Sequence, residues 1–165
     1  MMDYNFGKHC VNCDTWYVVV DGVMGGKSQG SIEYTNTSIV FSGKVSLENN
    51  GGFTSIRTKE HNFDLSKYST VAIRYKSTGQ DFSFYLNRYR KHYEPKFRID
   101  LPITNSHWKE VIIPLKNFKI VTLDKKIEGT ITKDDFESII KLGFISNTKA
   151  ATDFSLELDL SLIHI

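Results

Sequence analysis

The sequence lacks the features that several classes of protein require. Its 21 basic and 19 acidic side chains among 165 residues leave a net charge of only +2, so the whole chain is not a polycation suited to covering nucleic-acid phosphates. No apolar run approaches the roughly 18 residues of a membrane-spanning helix. The first residues show neither the basic-then-apolar order of a signal peptide nor an Arg- and Ser-rich composition. We therefore predict a cytoplasmic protein with no membrane span and no nucleic-acid partner.

Cysteine is limited to Cys10 and Cys13, one Cys-x-x-Cys pair beside His9. A structural zinc ion needs four ligands, and the remaining histidines form no second cluster along the chain. Redox pairs of this spacing are expected in a βαβ unit, for which the sequence gives no sign. We predict two reduced thiols, no metal site and no cofactor.

Catalytic signatures are missing as well. The sequence contains no Gly-x-Ser-x-Gly and no His-Glu-x-x-His motif. Gly26-Lys27-Ser28 ends like a phosphate-binding loop, but Asp21 stands where that motif requires its first glycine, and the following residues predict a strand instead of a helix. A glycosidase would need two carboxylates on facing strands, and sequence alone brings no two of the candidates together: Glu48, Asp100, Glu110 and Glu157. We predict no catalytic residue, and a sandwich-fold glycan-processing enzyme is the least favoured alternative.

What the sequence has in abundance is the pattern of strands. Apolar and polar side chains alternate over many short segments, as in half-buried strands with one wet face. Strands are predicted at Trp16–Val20, Ile32–Tyr34, Ser38–Ser42, Phe53–Arg57, Val71–Lys76, Phe82–Tyr89, Lys96–Leu101, Trp108–Ile113, Leu142–Ser146 and Phe154–Leu162. This pattern predicts a single all-β domain over residues 1–165, a jelly-roll-like antiparallel β-sandwich. One short helical segment is predicted after Ile131, with Thr132 as its cap and Asp135 in its first turn.

Two Gly-rich segments are the most unusual parts of the chain. Residues 21–30 read Asp-Gly-Val-Met-Gly-Gly-Lys-Ser-Gln-Gly, and residues 46–57 place Asn-Asn-Gly-Gly before a strand that contains Arg57. Either segment could be only a tight turn, but the second also supplies two amides and a planar guanidinium. The strands between them are predicted to form a hairpin, which returns the chain to its starting end. We therefore expect the two segments within one sheet spacing of ~10 Å, with Arg57 bridging to Asp21 or to backbone carbonyls.

A third segment interleaves basic and aromatic residues between positions 85 and 98. Its tyrosines could stack on a sugar, and its cations could meet an acidic protein partner. The segment could equally be a strand pair with a basic wet face. The secondary binding candidates, for a carbohydrate above all, are Tyr85, Arg88, Tyr89 and Tyr93.

Taken together, motifs along nearly the whole chain closely resemble the complex I intermediate-associated protein 30 family. In order, they are Trp16, Asp-Gly-Val-Met-Gly-Gly-x-Ser-x-Gly at 21–30, Phe41-x-Gly43, Ser-Leu-Glu-Asn-Asn-Gly-Gly-Phe at 46–53 with Ser55 and Arg57, Phe63-Asp64-Leu65-Ser66, Trp108-x-x-Val111-x-Ile113-Pro114 with Phe118, Ile140-x-x-Leu142-Gly143, and Phe154-x-Leu156-Glu157.

The resemblance implies a galactose-binding-like β-sandwich and a chaperone-like role in assembling respiratory complex I, without a catalytic apparatus. Because the long N-terminal region of mitochondrial members is not seen, we expect a compact bacterial-type member. We predict a non-catalytic binding module that holds a protein subunit of a membrane-associated complex, with a carbohydrate-binding module as the alternative. The predicted binding residues lie in the Gly-rich segments: Asp21, Met24, Gly25, Gly26, Ser28, Asn49, Asn50, Gly51, Gly52 and Arg57.

Overall fold

The computed structural model describes residues 16–123 and 125–159. Cys10 and Cys13, with the N-terminal residues that led us to predict a cytoplasmic location, lie outside the described residues. The side chain of Met24 lies outside them as well. The predictions made for these parts therefore stay predictions.

Strands account for most of the regular structure in the described residues. They are β1 (Trp16–Val20), β2 (Gln29–Tyr34), β3 (Ser38–Lys44), β4 (Thr54–Thr58), β5 (Thr70–Thr78), β6 (Phe82–Asn87), β7 (Lys96–Leu101), β8 (Lys109–Pro114), β9 (Lys119–Thr122), β10 (Lys125–Ile127), β11 (Lys141–Ser146) and β12 (Asp153–Asp159). One sheet has seven strands in the order β1-β4-β11-β6-β7-β9-β10, and the other has five in the order β2-β3-β12-β5-β8. Every pairing is antiparallel, which confirms the predicted all-β sandwich.

The core lies between the two sheets because alternate residues of each strand point inward. In β12, Phe154, Leu156 and Leu158 are buried, as the alternation predicts. Phe154 packs 4.9 Å from Phe41 of its own sheet and 5.8 Å from Phe82 of the opposite sheet, measured between ring centroids. Each such buried side chain stabilises the fold by about 2–3 kcal/mol relative to an exposed one.

Helical structure in the described residues consists of short 3-10 turns at Asp21–Met24, Glu48–Asn50, Leu115–Asn117 and Lys133–Phe136. The last turn confirms the predicted helical segment, since Thr132 and Asp135 form a capping box around it. It buries Phe136 against Phe97, with ring centroids 5.2 Å apart. Within residues 16–123 and 125–159, no helix is long and apolar enough to cross a membrane.

Two short strands, β9 and β10, could not be predicted from the alternation of apolar and polar residues. The three residues of β10 are all exposed, and β9 spans only four residues, so neither shows a sustained alternation. The strand predicted to reach Tyr89 ends at Asn87 instead. Beyond that point Arg88 forms an ion pair with Asp135, 3.0 Å long, which attaches this loop to the capped turn.

Candidate functional site

The two Gly-rich segments lie together at the end of β1, as predicted. The carboxylate of Asp21 accepts hydrogen bonds from the backbone N–H and hydroxyl of Ser28, at 3.1 and 2.6 Å. It also accepts from the backbone N–H of Gly52 at 2.6 Å and of Phe53 at 3.3 Å. Asp21 therefore joins its own loop to the start of β4. We call the two joined segments, residues 21–28 and 46–53, the clasp.

Gly26 and Gly51, which have no side chain, leave the space that the Asp21 carboxylate occupies. A Cβ added to Gly26 would lie 2.3 Å from the carboxylate carbon, and one added to Gly51 would lie 2.5 Å from Oδ2. Both distances are far below van der Waals contact, and each backbone packs directly against the carboxylate. These glycines thus allow the backbone to pack closely against the Asp21 carboxylate inside the clasp.

Asp21 is 2% exposed, yet it is held as a carboxylate. Burial alone would raise its pKa, but the hydrogen bonds from Ser28, Gly52 and Phe53 together lower the pKa below its usual value. All of these donors belong to the chain itself. Asp21 and Ser28 therefore hold the two segments of the clasp together, and a role for them in binding stays a prediction.

The outer side of the clasp is more open to solvent. Asn49 donates from its side-chain amide to the carbonyl of Gly25 at 3.0 Å, and an ion pair joins Lys27 to Glu48. Asn49 and Asn50 both adopt positive φ angles, of 55° and 58°, and both are exposed. The clasp therefore presents amide groups at its surface while its interior is occupied by Asp21.

Arg57 does not bridge the clasp, and that part of the prediction is wrong. Val20, the residue before Asp21, pairs with Thr54, whereas Arg57 pairs with Tyr17. Three residues of strand separate the two positions, or about 10 Å. The donors to Asp21 are Ser28, Gly52 and Phe53. Arg57 instead belongs to the outer face of the seven-stranded sheet.

This outer face is rich in basic residues. Core residues such as Ile56, Phe84 and Phe144 point inward, so the residues that alternate with them point outward. The strand register places six basic side chains and one carboxylate, that of Asp100, on this face. We call it the basic face, and its basic residues are Arg57, Lys96, Arg98, Lys119, Lys126 and Lys141.

Tyr85 lies at the centre of the basic face but is only 1% exposed. Its ring lies across Gly143, where an added Cβ would be 2.3 Å from the ring carbon Cζ. The Lys96 ammonium is 5.0 Å and the Arg57 guanidinium 6.0 Å from the ring centroid. Burial raises the pKa of Tyr85 to about 12. Because the ring is covered, Tyr85 offers no open surface on which a sugar could stack.

Three buried polar atoms on the basic face make no well-directed hydrogen bond within the described residues, although the Tyr85 hydroxyl lies beside Ser55 and Arg57. They are the Arg57 Nε, the Tyr85 hydroxyl and the Asn87 Oδ1. Arg57 and Tyr85 flank Gly143 in the register, and Asn87 lies on the same face as Tyr85 in β6. Unsatisfied buried polar atoms cost about 1–3 kcal/mol each, so this part of the sheet is packed at some cost to stability.

The other secondary candidates lie in the loop between β6 and β7. Tyr89 and Tyr93 are 39% and 50% exposed, so both rings are accessible to a ligand. Arg88 lies 5.3 Å from the Tyr89 ring centroid, and Lys91 lies 5.6 Å from that of Tyr93. Arg88 also pairs with Asp135, so it fastens the loop. Whether any of these residues binds a ligand stays a prediction.

The carboxylates considered for catalysis do not form one group. Glu48 lies in the clasp, Asp100 on the basic face, and Glu110 and Glu157 on the outer face of the five-stranded sheet. Asp100 accepts from Ser83 at 2.8 Å and pairs with Arg98. Among the described residues, no three His, Cys, Asp or Glu side chains are grouped so that they could hold a metal ion.

Several residues of the basic face were not identified as binding candidates from the sequence. Lys96 lies next to Tyr85, and Lys141 lies next to Tyr17, only because the sheet places the strands in the order β1-β4-β11-β6-β7. Strand alternation shows which residues of a strand share a face, but not which strands are neighbours. Gly143 stood within a recognised motif, and its signal was a glycine in the interior of a predicted strand.

The fold is shared with carbohydrate-binding modules. A family 11 module of a cellulosomal cellulase of Clostridium thermocellum matches with a TM-score of 0.64 and 18% identity, over 91% of this chain and 90% of that one. The family 11 module of Clostridium thermocellum in complex with a beta-1,3-1,4-mixed-linked tetrasaccharide matches at 0.65 and 17%, over 99% and 96%. A family 30 module matches at 0.53 and 18%, over 82% and 81%. At these identities the likeness establishes the fold alone.

Family membership rests on the sequence itself. No curated protein sequence matches the chain significantly. The profile of the family described as complex I intermediate-associated protein 30 matches residues 4–158, which is nearly the whole chain and includes both segments of the clasp. The chain therefore belongs to the complex I intermediate-associated protein 30 family.

Proposed function

We propose that this chain is a non-catalytic, chaperone-like binding domain that holds a protein subunit while a membrane-associated complex is assembled. The family description, which refers to an intermediate of complex I, supports the assembly role. The observation that carries the proposal is Arg57, a half-buried cation on the basic face. Its Nε has no hydrogen-bond partner, and it forms no ion pair with a carboxylate within the described residues. A carboxylate of a partner would pair with the exposed part of the Arg57 side chain, which has no such ion pair within the described residues.

The exposed side of the clasp would form a second contact. Asn49 and Asn50 present amides there, and Leu47 beside them is 48% exposed. β4 connects the clasp to Arg57, since it begins directly after Phe53. Directional polar contacts around an apolar side chain are typical of protein interfaces. In this proposal Gly25, Gly26, Gly51 and Gly52 shape the loop, and Met24 adds adaptable apolar contact.

Capture of partners by the immobilised domain tests this proposal. Membranes of the source organism, dissolved in mild detergent, would be passed over the wild type, Arg57→Ala, the double variant Asn49→Ala/Asn50→Ala, and the control Lys44→Gln. Lys44 is exposed on the five-stranded sheet. We expect Arg57→Ala to abolish capture, and to change the free energy of unfolding by at most about 1 kcal/mol because no ion pair is lost. Full capture by both binding variants would refute the proposal.

Carbohydrate binding is a second candidate function. It is favoured by the fold shared with carbohydrate-binding modules, one of them described in complex with a tetrasaccharide. The aromatic residues that could serve are Tyr89 and Tyr93, since Tyr85 is covered. A glycan array separates the two functions, because only this candidate expects neutral glycans to be retained and then lost in Tyr89→Ala and Tyr93→Ala. Arg57→Ala, which leaves both tyrosines intact, is the matched control.

A further inference from the structure

The two outer faces of the sandwich carry opposite charge, although the chain as a whole is nearly neutral. The five-stranded sheet directs three basic and five acidic side chains outward: Lys44, Arg74, Lys76, Glu33, Glu110, Asp153, Glu157 and Asp159. Its cations are matched by these carboxylates, with Arg74 2.8 Å from Asp159 and Lys76 2.9 Å from Glu157. The basic face has six cations and one carboxylate on its strands. The excess of positive charge is therefore concentrated on the outer face of the seven-stranded sheet.

Part of the basic face is neutralised by the chain itself. Asp100 pairs with Arg98 at 3.2 Å, Glu128 with Lys126 at 3.4 Å, and Glu60 lies 3.7 Å from Lys141. Glu60 and Glu128 are at the margins of the sheet, outside β4 and β10. Arg57 takes part in none of these ion pairs. A carboxylate from a partner would therefore give Arg57 an ion pair that the described residues do not provide.

We infer that the basic face binds an acidic segment of a protein partner, with one carboxylate of that segment received by Arg57. This inference rests on the proposed function and names the chemistry of the partner. Charge complementarity of this kind steers association and fixes the register of the bound surfaces.

The layout of the face favours an extended acidic segment over a neutral sugar or single-stranded nucleic acid. From β4 to β10 the sheet order counts five strand intervals, or about 24 Å at the usual spacing of about 4.8 Å. An extended peptide of about seven residues covers that distance. A neutral sugar would use open aromatic rings, and single-stranded nucleic acid would stack its bases on them. Tyr85, the aromatic ring at the centre of the face, is covered.

A fluorescein-labelled deca-glutamate peptide provides the test. Its binding to the purified chain would be followed by fluorescence anisotropy at about 50 mM and about 300 mM salt, because screening weakens such contacts. Three variants would be compared with the wild type: Arg57→Gln, Lys119→Glu and Lys44→Gln. Lys119 is an exposed residue of the basic face, so Lys119→Glu keeps the fold, while Lys44→Gln removes one charge from the opposite face.

We expect Arg57→Gln to weaken peptide binding about tenfold or more and Lys119→Glu about threefold or more. Lys44→Gln should leave the affinity within about twofold of the wild type, and the higher salt should weaken wild-type binding. Melting temperatures near that of the wild type would establish that the variants are folded. Equal loss in Arg57→Gln and Lys44→Gln, or no wild-type binding at the lower salt, would overturn the inference. Arg57-dependent binding of dextran sulfate without binding of the peptide would overturn it in favour of an anionic glycan.

The capture experiment distinguishes the two proposals. Suppose that partner capture depends on Arg57 while deca-glutamate does not bind. The proposed function then stands, and the acidic segment is refuted. Suppose instead that deca-glutamate binds through Arg57 while partner capture is unchanged in Arg57→Ala and in the double Asn49/Asn50 variant. The acidic specificity then stands, and the proposed function is refuted.

Discussion

The carboxylate of Asp21 and the backbone N–H of Gly52 lie 2.6 Å apart, although 31 residues separate them in the chain. The hairpin of β2 and β3 makes this contact possible, because it returns the chain to the end of the sandwich from which it left. The same carboxylate holds Ser28 of its own loop. One buried negative charge thus fixes the path of two loops and the start of β4.

Replacing Asp21 by Asn is expected to lower the free energy of unfolding by about 3 kcal/mol. The amide cannot accept from all of the donors that surround the carboxylate, and a buried donor left without a partner costs about 1–3 kcal/mol. Asp153→Asn is the matched control, because Asp153 is exposed at the start of β12. Chemical denaturation of both variants measures the difference. Equal and small effects would show that the carboxylate does not fasten the loops.

The contribution of Asp21 is expected to depend on pH. Since its folded-state pKa is lowered, the stabilisation is fully present above the unfolded-state pKa of about 4. It is lost as the pH falls through the lower pKa of the folded state. The difference in unfolding free energy between the wild type and Asp21→Asn should therefore narrow as the pH falls from about 6 to about 3. Other carboxylates of lowered pKa, such as Asp135, are present in both proteins and cancel. A difference that stays constant over this range would contradict the assignment.

Gly51→Ala isolates the close approach of backbone and carboxylate. Gly51 has a φ of −69°, which alanine adopts without strain, so the methyl group acts through its collisions with Asp21 Oδ2 at 2.5 Å and with the Glu48 carbonyl oxygen at 3.0 Å. Forcing a methyl group into a filled site costs about 1–3 kcal/mol. Gly22→Ala is the control, since its nearest neighbour, Val20 Cγ2, would lie at an ordinary 3.7 Å. Thermal unfolding of the pair should show a loss in Gly51→Ala only, and a loss of the same size in both would point to backbone effects instead.

Much of the fold could be predicted from the sequence because its signals are local. Phe154, Leu156 and Leu158 alternate with polar residues, and this period alone identifies a strand with one buried face. Thr132 and Asp135 predict the capped turn for the same reason. The three exposed residues of β10 carry no such period. That strand exists through pairing with β9, which is a tertiary contact.

The candidate site was only partly predictable because it depends on the order of strands in a sheet. Proximity of the clasp segments followed from the hairpin, a local argument. Arg57 was assigned to the wrong neighbour, because its side chain was expected to reach from the predicted strand Phe53–Arg57 back to the clasp. The structure places Arg57 on β4 beside Tyr17 and Gly143, which are 40 or more residues away in sequence. No pattern within a single strand specifies such neighbours.

Two buried tyrosines provide a comparison that tests the basic face. Tyr75 and Tyr85 are 0% and 1% exposed, and burial raises the pKa of each to about 12. The Tyr75 hydroxyl donates to the carbonyl of Pro102 at 2.8 Å. The Tyr85 hydroxyl lies beside Ser55 and Arg57 but makes no well-directed hydrogen bond within the described residues. The two side chains therefore differ chiefly in how well the hydroxyl is satisfied.

Removing each hydroxyl should consequently have different effects on stability. Tyr75→Phe is expected to lower the free energy of unfolding by about 1 kcal/mol or more, because it leaves the Pro102 carbonyl without its donor. Tyr85→Phe is expected to be neutral, or to raise that free energy by up to about 1 kcal/mol, because it relieves a hydroxyl that is buried at a cost. Denaturant unfolding of both variants checks the signs. If Tyr85→Phe is destabilising by as much as Tyr75→Phe, the hydroxyl is already satisfied in the isolated domain.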